Sequence, residues 1–239
     1  MLVDTMTRPL IIAIDGPSGA GKSTLGRMLA RALKLLYIDT GSMYRAVALA
    51  VMESSISASD DVAVGSLAGR VDVDLKGDPD SLRVTLGGLD VTEQIRTEEV
   101  TDLSSIISTI PAVRRAMAAR QREMGKRGAV LNGRDIGTVV FPDADVKFFL
   151  TALPQARAER RFKEDRAQDP NVSFEETFAD MTERDARDST RADSPLKKAD
   201  DAIVIDSTGL TINEVFQQMM ATVQEKLSHR DAKSQTPLP

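Results

Sequence analysis

Hydrophobic and polar positions along this chain alternate between short apolar runs and amphipathic stretches. Residues 10–14, Leu-Ile-Ile-Ala-Ile, form an apolar run of strand length, rich in β-branched side chains. Leu25, Met28, Leu29, Ala32 and Leu33 then recur at helical spacing on one face. Residues 35–38 read as a second buried strand, and Met43, Ala46, Val47, Ala50 and Val51 as the apolar face of the next helix. From about residue 54 to 96 the pattern changes. Residues 57–60 cap a short helix near 62–67, after which Val71, Val73, Leu75 and then Leu82, Val84, Leu86 alternate with polar residues. With turns at 77–80 and at Gly87-Gly88, this segment predicts an antiparallel meander beside the core.

Alternation resumes with a helix over 98–110 and another opened by Pro111. Residues 129–131, 146–150 and 203–205 give three further strands. A helix over 154–166 is dense in cations, and Ser173-Phe174-Glu175-Glu176 is a capping box opening a long helix. Residues 211–214 cap a last amphipathic helix carrying Val215, Phe216, Met219, Val223 and Leu227. The whole predicts an α/β fold, five parallel strands flanked by helices, with ligands at the strand C-terminal ends. The first eight residues are expected to fray and residues 229–239 to form a disordered tail.

Composition narrows the chemistry. A formal charge of −5 over 239 residues disfavours broad nucleic-acid binding. With no cysteine and a single histidine, His229, thiolate metal sites and His-dependent triads are excluded. No long apolar run is present, so a cytoplasmic protein without membrane contact is expected. Nothing indicates an obligate oligomer, and a monomer is expected.

Residues 16–23, Gly16-Pro17-Ser18-Gly19-Ala20-Gly21-Lys22-Ser23, fit the spacing of a phosphate-binding loop, with a strand before and a helix after. Glycines let successive N–H groups converge on an anion, and the helix N-terminus adds its partial positive charge. Lys22 is placed to reach β- and γ-phosphates and Ser23 to ligand Mg²⁺. This loop alone does not separate kinases, GTPases and motor ATPases. No N-K-x-D segment is present, as a GTPase would carry, and residues 129–131 run into Asn-Gly-Arg-Asp rather than paired acids. Many arginines fall at ligand-facing positions instead, as transfer between two phosphates requires.

Four segments together closely resemble the bacterial cytidylate kinases: the loop at 16–23, Asp39-Thr40-Gly41-Ser42-Met43-Tyr44-Arg45, the stretch 133–144 beginning Gly133-Arg134-Asp135, and 183–191. The resemblance extends over roughly residues 10–227. It implies a P-loop nucleoside monophosphate kinase moving the ATP γ-phosphoryl group to CMP or dCMP with Mg²⁺. It implies a core (1–42, 108–157, 173–228), a monophosphate-binding lobe with the antiparallel insert (43–107) and a lid (158–172).

The resemblance also implies residue roles. The donor site would comprise residues 16–23 and Thr24, with Arg157, Arg160 and Arg161 closing over the phosphates. Arg45, Arg134 and Arg191 would hold the acceptor phosphate, and Tyr44, Arg184 and Asp188 the ribose. Ser105, Arg114 and Asp135 would read cytosine, and Lys22, Arg134, Arg184 and Arg191 would act on the transferred group. A carboxylate or hydroxyl accepts from the cytosine amino group and is mismatched to the uracil carbonyl, while Arg114 donates to O2 and N3. The chain departs from the family at Asn132, where many members carry an acid, and only Ser23 is assigned to metal.

Spacing alone leaves other readings open. Arg184, Asp188 and Arg191, at i, i+4 and i+7, also suit intrahelical ion pairs, and the cations of 157–161 an ordinary solvated face. A kinase for UMP, AMP or a non-nucleotide hydroxyl, and a non-catalytic nucleotide-binding regulator, remain alternatives. The kinase reading requires Lys22 and Arg134 to open on one shared cleft.

Overall fold

The computed structural model describes residues 9–167 and 169–234, with side chains described as far as His229. Residues 1–8, Gln168 and residues 235–239 lie outside the described residues. Five parallel strands run in the order β2-β6-β1-β7-β8: β1 Ile11–Asp15, β2 Leu36–Asp39, β6 Ala129–Gly133, β7 Val146–Thr151 and β8 Ile203–Asp206. Strand β1 is buried along its whole length because it has neighbours on both edges and helices on both faces.

Side-chain alternation along β1 divides the core. Ile11 and Ala13 pack into a cluster that includes Met43, Val47, Val64, Ile107, Val113 and Leu131, drawn from α2 Thr40–Met52, α3 Asp61–Arg70, α4 Glu98–Ile107, α5 Pro111–Gly125 and β6. Ile12 and Ile14 face the opposite cluster with Leu25, Leu29, Phe148, Val215, Met219 and Val223, from α1 Lys22–Leu33, β7 and α8 Ile212–Ser234. Both clusters hold buried side chains on the two faces of one sheet, so the strand ends are fixed relative to each other.

The meander forms as β3 Val73–Lys76 and β4 Arg83–Leu86, paired antiparallel, with an added short strand, β5 Leu89–Asp90. It packs on the α2–α5 side of the sheet through Val73, Leu75 and Val84. Helices α6 Pro154–Arg166 and α7 Phe174–Thr190 form a hairpin, and the Ser173/Glu176 capping box is present.

The structure differs from the sequence reading in several further places. Helix α2 starts at Thr40, with Asp39 as its N-cap, before the apolar face that opens at Met43, and α4 ends at Ile107 rather than 110. A π-helical turn, Ile136–Val140, follows β6 and had no periodic signal. Helix α8 continues to Ser234, into the segment expected to be a tail from residue 229.

Asp15, Asp39 and Gly133 end their strands side by side, with Asp15 opposite Gly133 and Asp39 opposite Asn132. The chain then turns sharply at Gly16, whose φ is +144° and where a Cβ would lie 2.0 Å from the Leu150 carbonyl oxygen. Backbone meets backbone there, so nothing can give way. Gly16→Ala should therefore lower stability by at least about 2 kcal/mol. Chemical denaturation followed by circular dichroism measures it, and an unchanged midpoint would contradict the packing described.

Candidate active site

One cleft of about 650 Å³ opens at the C-terminal ends of the parallel strands. Its walls include both Lys22 and Arg134, as a shared site requires. They also include Tyr44, Arg45, Ser105, Arg114, Asp135, Arg160, Arg161, Arg184, Asp188 and Arg191.

The glycine loop forms the floor. Gly19 and Gly21 take positive φ, 70° and 89°, and Gly21 is the N-cap of α1. The loop amides and the helix N-terminus thereby turn toward one region. Lys22 is buried and its Nζ donates to the Pro17 carbonyl at 2.5 Å. Burial, with Arg134 and Arg184 nearby, pushes its ammonium well below the usual lysine range. An anion placed in the cleft would reverse that strain.

At the opposite wall, the chemistry is a surplus of cations around one carboxylate. Asp188 accepts from Arg134 Nε at 2.7 Å and from Arg191 Nη1 at 3.2 Å. Burial alone would raise the Asp188 carboxyl, but Arg134, Arg184 and Arg191 outweigh it and hold it below the ordinary value. Arg191 Nη2, Arg184 Nε and Arg45 Nε are buried with no hydrogen-bond partner among the described residues. Burial, and then Arg134, push the Arg184 guanidinium down to about 10. Such donors are costly unless something anionic meets them.

A polar cluster lies beside this wall. Arg114 donates to Asp135 at 2.5 Å and to the Ser108 carbonyl at 3.1 Å, and its guanidinium lies 5.6 Å from the Tyr44 ring centroid. Ser104 and Ser108 give their hydroxyls to carbonyls of their own helix. The buried Ser105 hydroxyl has no partner among the described residues.

Ser23 Oγ accepts from Asn132 Nδ2 at 3.1 Å, and the same amide lies 3.5 Å from Asp39 Oδ1. Asn132 Oδ1 is buried and without a partner among the described residues. Ser23, Asp39 and Asn132 thus bring together oxygen atoms of the kind that suit Mg²⁺. Among the described residues no three His, Cys, Asp or Glu cluster as a metal cage.

The donor-side arginines separate. Arg160 bonds Ser207 through its hydroxyl at 2.9 Å and its carbonyl at 2.6 Å, beside Leu210, Ile212 and Val215 in the cleft wall. Arg161, half-exposed, pairs with Asp165 of its own helix. Arg157 is buried and bound to protein groups, the carbonyls of Ala152 and Ser18 and the Asp185 carboxylate. Its guanidinium is therefore occupied and not directed at the cleft.

Asp15 was not singled out by sequence. Its buried carboxylate accepts the amide N–H groups of Ile136 and Gly137 at 2.8 and 2.7 Å, pinning the π-helical turn that follows Asp135. Burial, eased by those two amides, pushes it up from 3.8 to about 6. The only signal available was its place before the loop, at a strand end.

Comparisons with known proteins place the chain in a family. A family profile described as cytidylate kinase matches residues 12–225. A cytidylate kinase of Geobacter sp. (strain M21) is 48% identical over 223 residues, covering 93% of this chain and 96% of that one. One from Desulforamulus reducens is 50% identical over 222 residues, covering 92% and 99%. A crystal structure of an uncharacterized protein from Eubacterium ventriosum superposes with a TM-score of 0.50 at 10% identity, covering 90% of this chain and 98% of that one, and is similar in fold alone.

Two outcomes follow from the electrostatics. The folded state holds the Asp15 proton more tightly than the unfolded chain, so the contribution of Asp15 is fully present below about pH 4 and is lost as the pH rises through about 6. Urea unfolding of wild type and Asp15→Asn should therefore show the gap between them move by about 3 kcal/mol in favour of Asn from about pH 4 to pH 7, then stay flat. A gap independent of pH would contradict it. Arg184→Met should leave unfolding stability equal or raise it by about 1–3 kcal/mol, since it removes a charge held at a cost. Its steady-state kcat should fall by at least about 100-fold. A clear loss of stability would count against the cation surplus.

Proposed function

The chain belongs to the cytidylate kinase family, and from that premise we propose how its cleft is divided between two nucleotides. The enzyme transfers the γ-phosphoryl group of ATP to CMP or dCMP, giving ADP and CDP or dCDP. The glycine loop, Thr24 and Lys22 take the donor phosphates. Arg45, Arg134 and Arg191 take the acceptor phosphate, and Arg184, between the two, meets charge that develops during transfer. The carrying observation is the set of buried guanidinium nitrogens of Arg45, Arg184 and Arg191 that no protein group among the described residues satisfies.

An acceptor phosphate oxygen is already largely ionised at neutral pH. The protein's task is therefore to press two anions together in line and offset their repulsion. Lys22 moves from the Pro17 carbonyl to the donor, exchanging a backbone contact for a charged one. Ser23, with Asp39 and Asn132, would hold from the protein side a Mg²⁺ carried in with the donor, which would supply charge neutralisation. The apolar shelf of Leu210, Ile212 and Val215 beside Arg160 suits the flat face of the donor base.

On the acceptor side, Asp135 and the unpartnered Ser105 hydroxyl accept from the cytosine amino group, and Arg114 donates to O2 and N3. The Tyr44 ring lies against the Arg114 guanidinium. Tyr44 and Asp188 lie where the ribose passes. The α6–α7 hairpin, over residues 158–172, serves as the lid that excludes water from the γ-phosphate.

The test is ADP formation with CMP, dCMP, UMP and AMP as acceptors, for wild type and Asp135→Ala. Wild type should favour the two cytidine nucleotides over UMP and AMP. The variant should lose at least about 100-fold in kcat/KM for CMP while KM for ATP stays within about threefold. Equal losses toward both substrates would overturn the base-reading role.

A further inference from the structure

Helix α7 carries two adjoining stripes. Arg184, Asp188 and the C-capping Arg191 face the cleft, while Met181 and Asp185 lie against the glycine loop. A Cβ on Gly19 would come 3.0 Å from Met181 Cε and 2.8 Å from the Arg157 carbonyl, which shows how closely loop, α6 and α7 meet. The Ser18 peptide is gripped at both ends. Its N–H donates to Asp185 Oδ1 at 3.2 Å, and its carbonyl accepts from Arg157 Nη1 at 3.0 Å. Arg157 and Asp185 close the ring with a 2.5 Å ion pair, and Arg157 Nε holds the Ala152 carbonyl at the start of α6.

We propose that Asp185 and Arg157 are a positioning pair that fixes the donor loop against the helix carrying the acceptor-side cations. The inference rests on the division of the cleft given above. Asp185 adjoins Arg184 in sequence, so the carboxylate that holds Ser18 also sets the rotation of α7 and hence where Arg184, Asp188 and Arg191 point. The pair sits at the base of the α6–α7 hairpin. Neither residue touches the reacting atoms. Their effect is on the distance and angle between two sites that each remain intact, and a misplacement of about 1 Å is enough to cost about 100-fold in rate.

The readout is a split between binding and turnover. Asp185→Asn should lower kcat by about 10- to 100-fold, while the separate dissociation constants of CMP and of a non-hydrolysable ATP analogue, by calorimetry, stay within about threefold. Arg157→Lys, which keeps the charge but cannot donate to three acceptors in fork geometry, should show the same split. The double variant should be no slower than the slower single variant, because both changes break one device. The proposal is overturned if kcat is unchanged well below the unfolding temperature, if kcat falls only in step with lost binding, or if the two changes multiply independently. Should Asp185→Asn not fold, the split in Arg157→Lys decides by itself. Failure of wild type to phosphorylate CMP would instead overturn the reading of the cleft, since that experiment does not involve either variant.

Discussion

The structure depends on keeping several cations together, out of water, with too little negative charge to balance them. Lys22, Arg134, Arg184 and Arg191 share one cleft, and Asp188 is the carboxylate bonded to two of them. Burial, and then mutual repulsion, push Lys22 and Arg184 away from their usual ranges in the direction of losing charge. Such an arrangement costs stability in the free protein and is tolerated because anionic substrates complete it. The two-sided core, locked on β1, holds the strand ends rigidly enough to bear that cost.

Carboxylates then act as fasteners for the parts that handle substrate. Asp15 fixes the turn after Asp135 through two amides, Asp188 spaces Arg134 from Arg191, and Asp185 ties α7 to the glycine loop. Each joins residues far apart in sequence, so the geometry of the site is a property of the assembled fold and not of any one loop. Asn132, neutral where a further acid would add charge, links Ser23 to Asp39 by its amide and keeps one oxygen unspent.

Much of this was legible in the sequence, for definite reasons. The glycine loop announces itself because a strand, a tight turn and a helix must follow in fixed spacing, and all five parallel strands show as short apolar runs. The resemblance pairs Arg114 with Asp135 in reading the base, and the two bond directly. What escaped depends on long-range partners. The π-helical turn is anchored by Asp15, 121 residues away from Ile136, whose carboxylate accepts its first two amides. Arg157 sits among exposed cations in sequence, yet its position on α6 turns it inward to Ser18 and Asp185, which periodicity cannot reveal. Spacing alone made Arg184, Asp188 and Arg191 look like a helix pairing with itself. Only the fold shows Arg134 arriving from β6 to share Asp188.

The most direct test is a crystal structure with an adenosine–cytidine bisubstrate analogue joined through a polyphosphate bridge. The account predicts a single continuous density in the one cleft, with Lys22 Nζ moved off the Pro17 carbonyl onto the bridge and Arg45, Arg134, Arg184 and Arg191 around it. A cytidine end seated outside this cleft, or a bridge bound while Lys22 stays on Pro17, would contradict it.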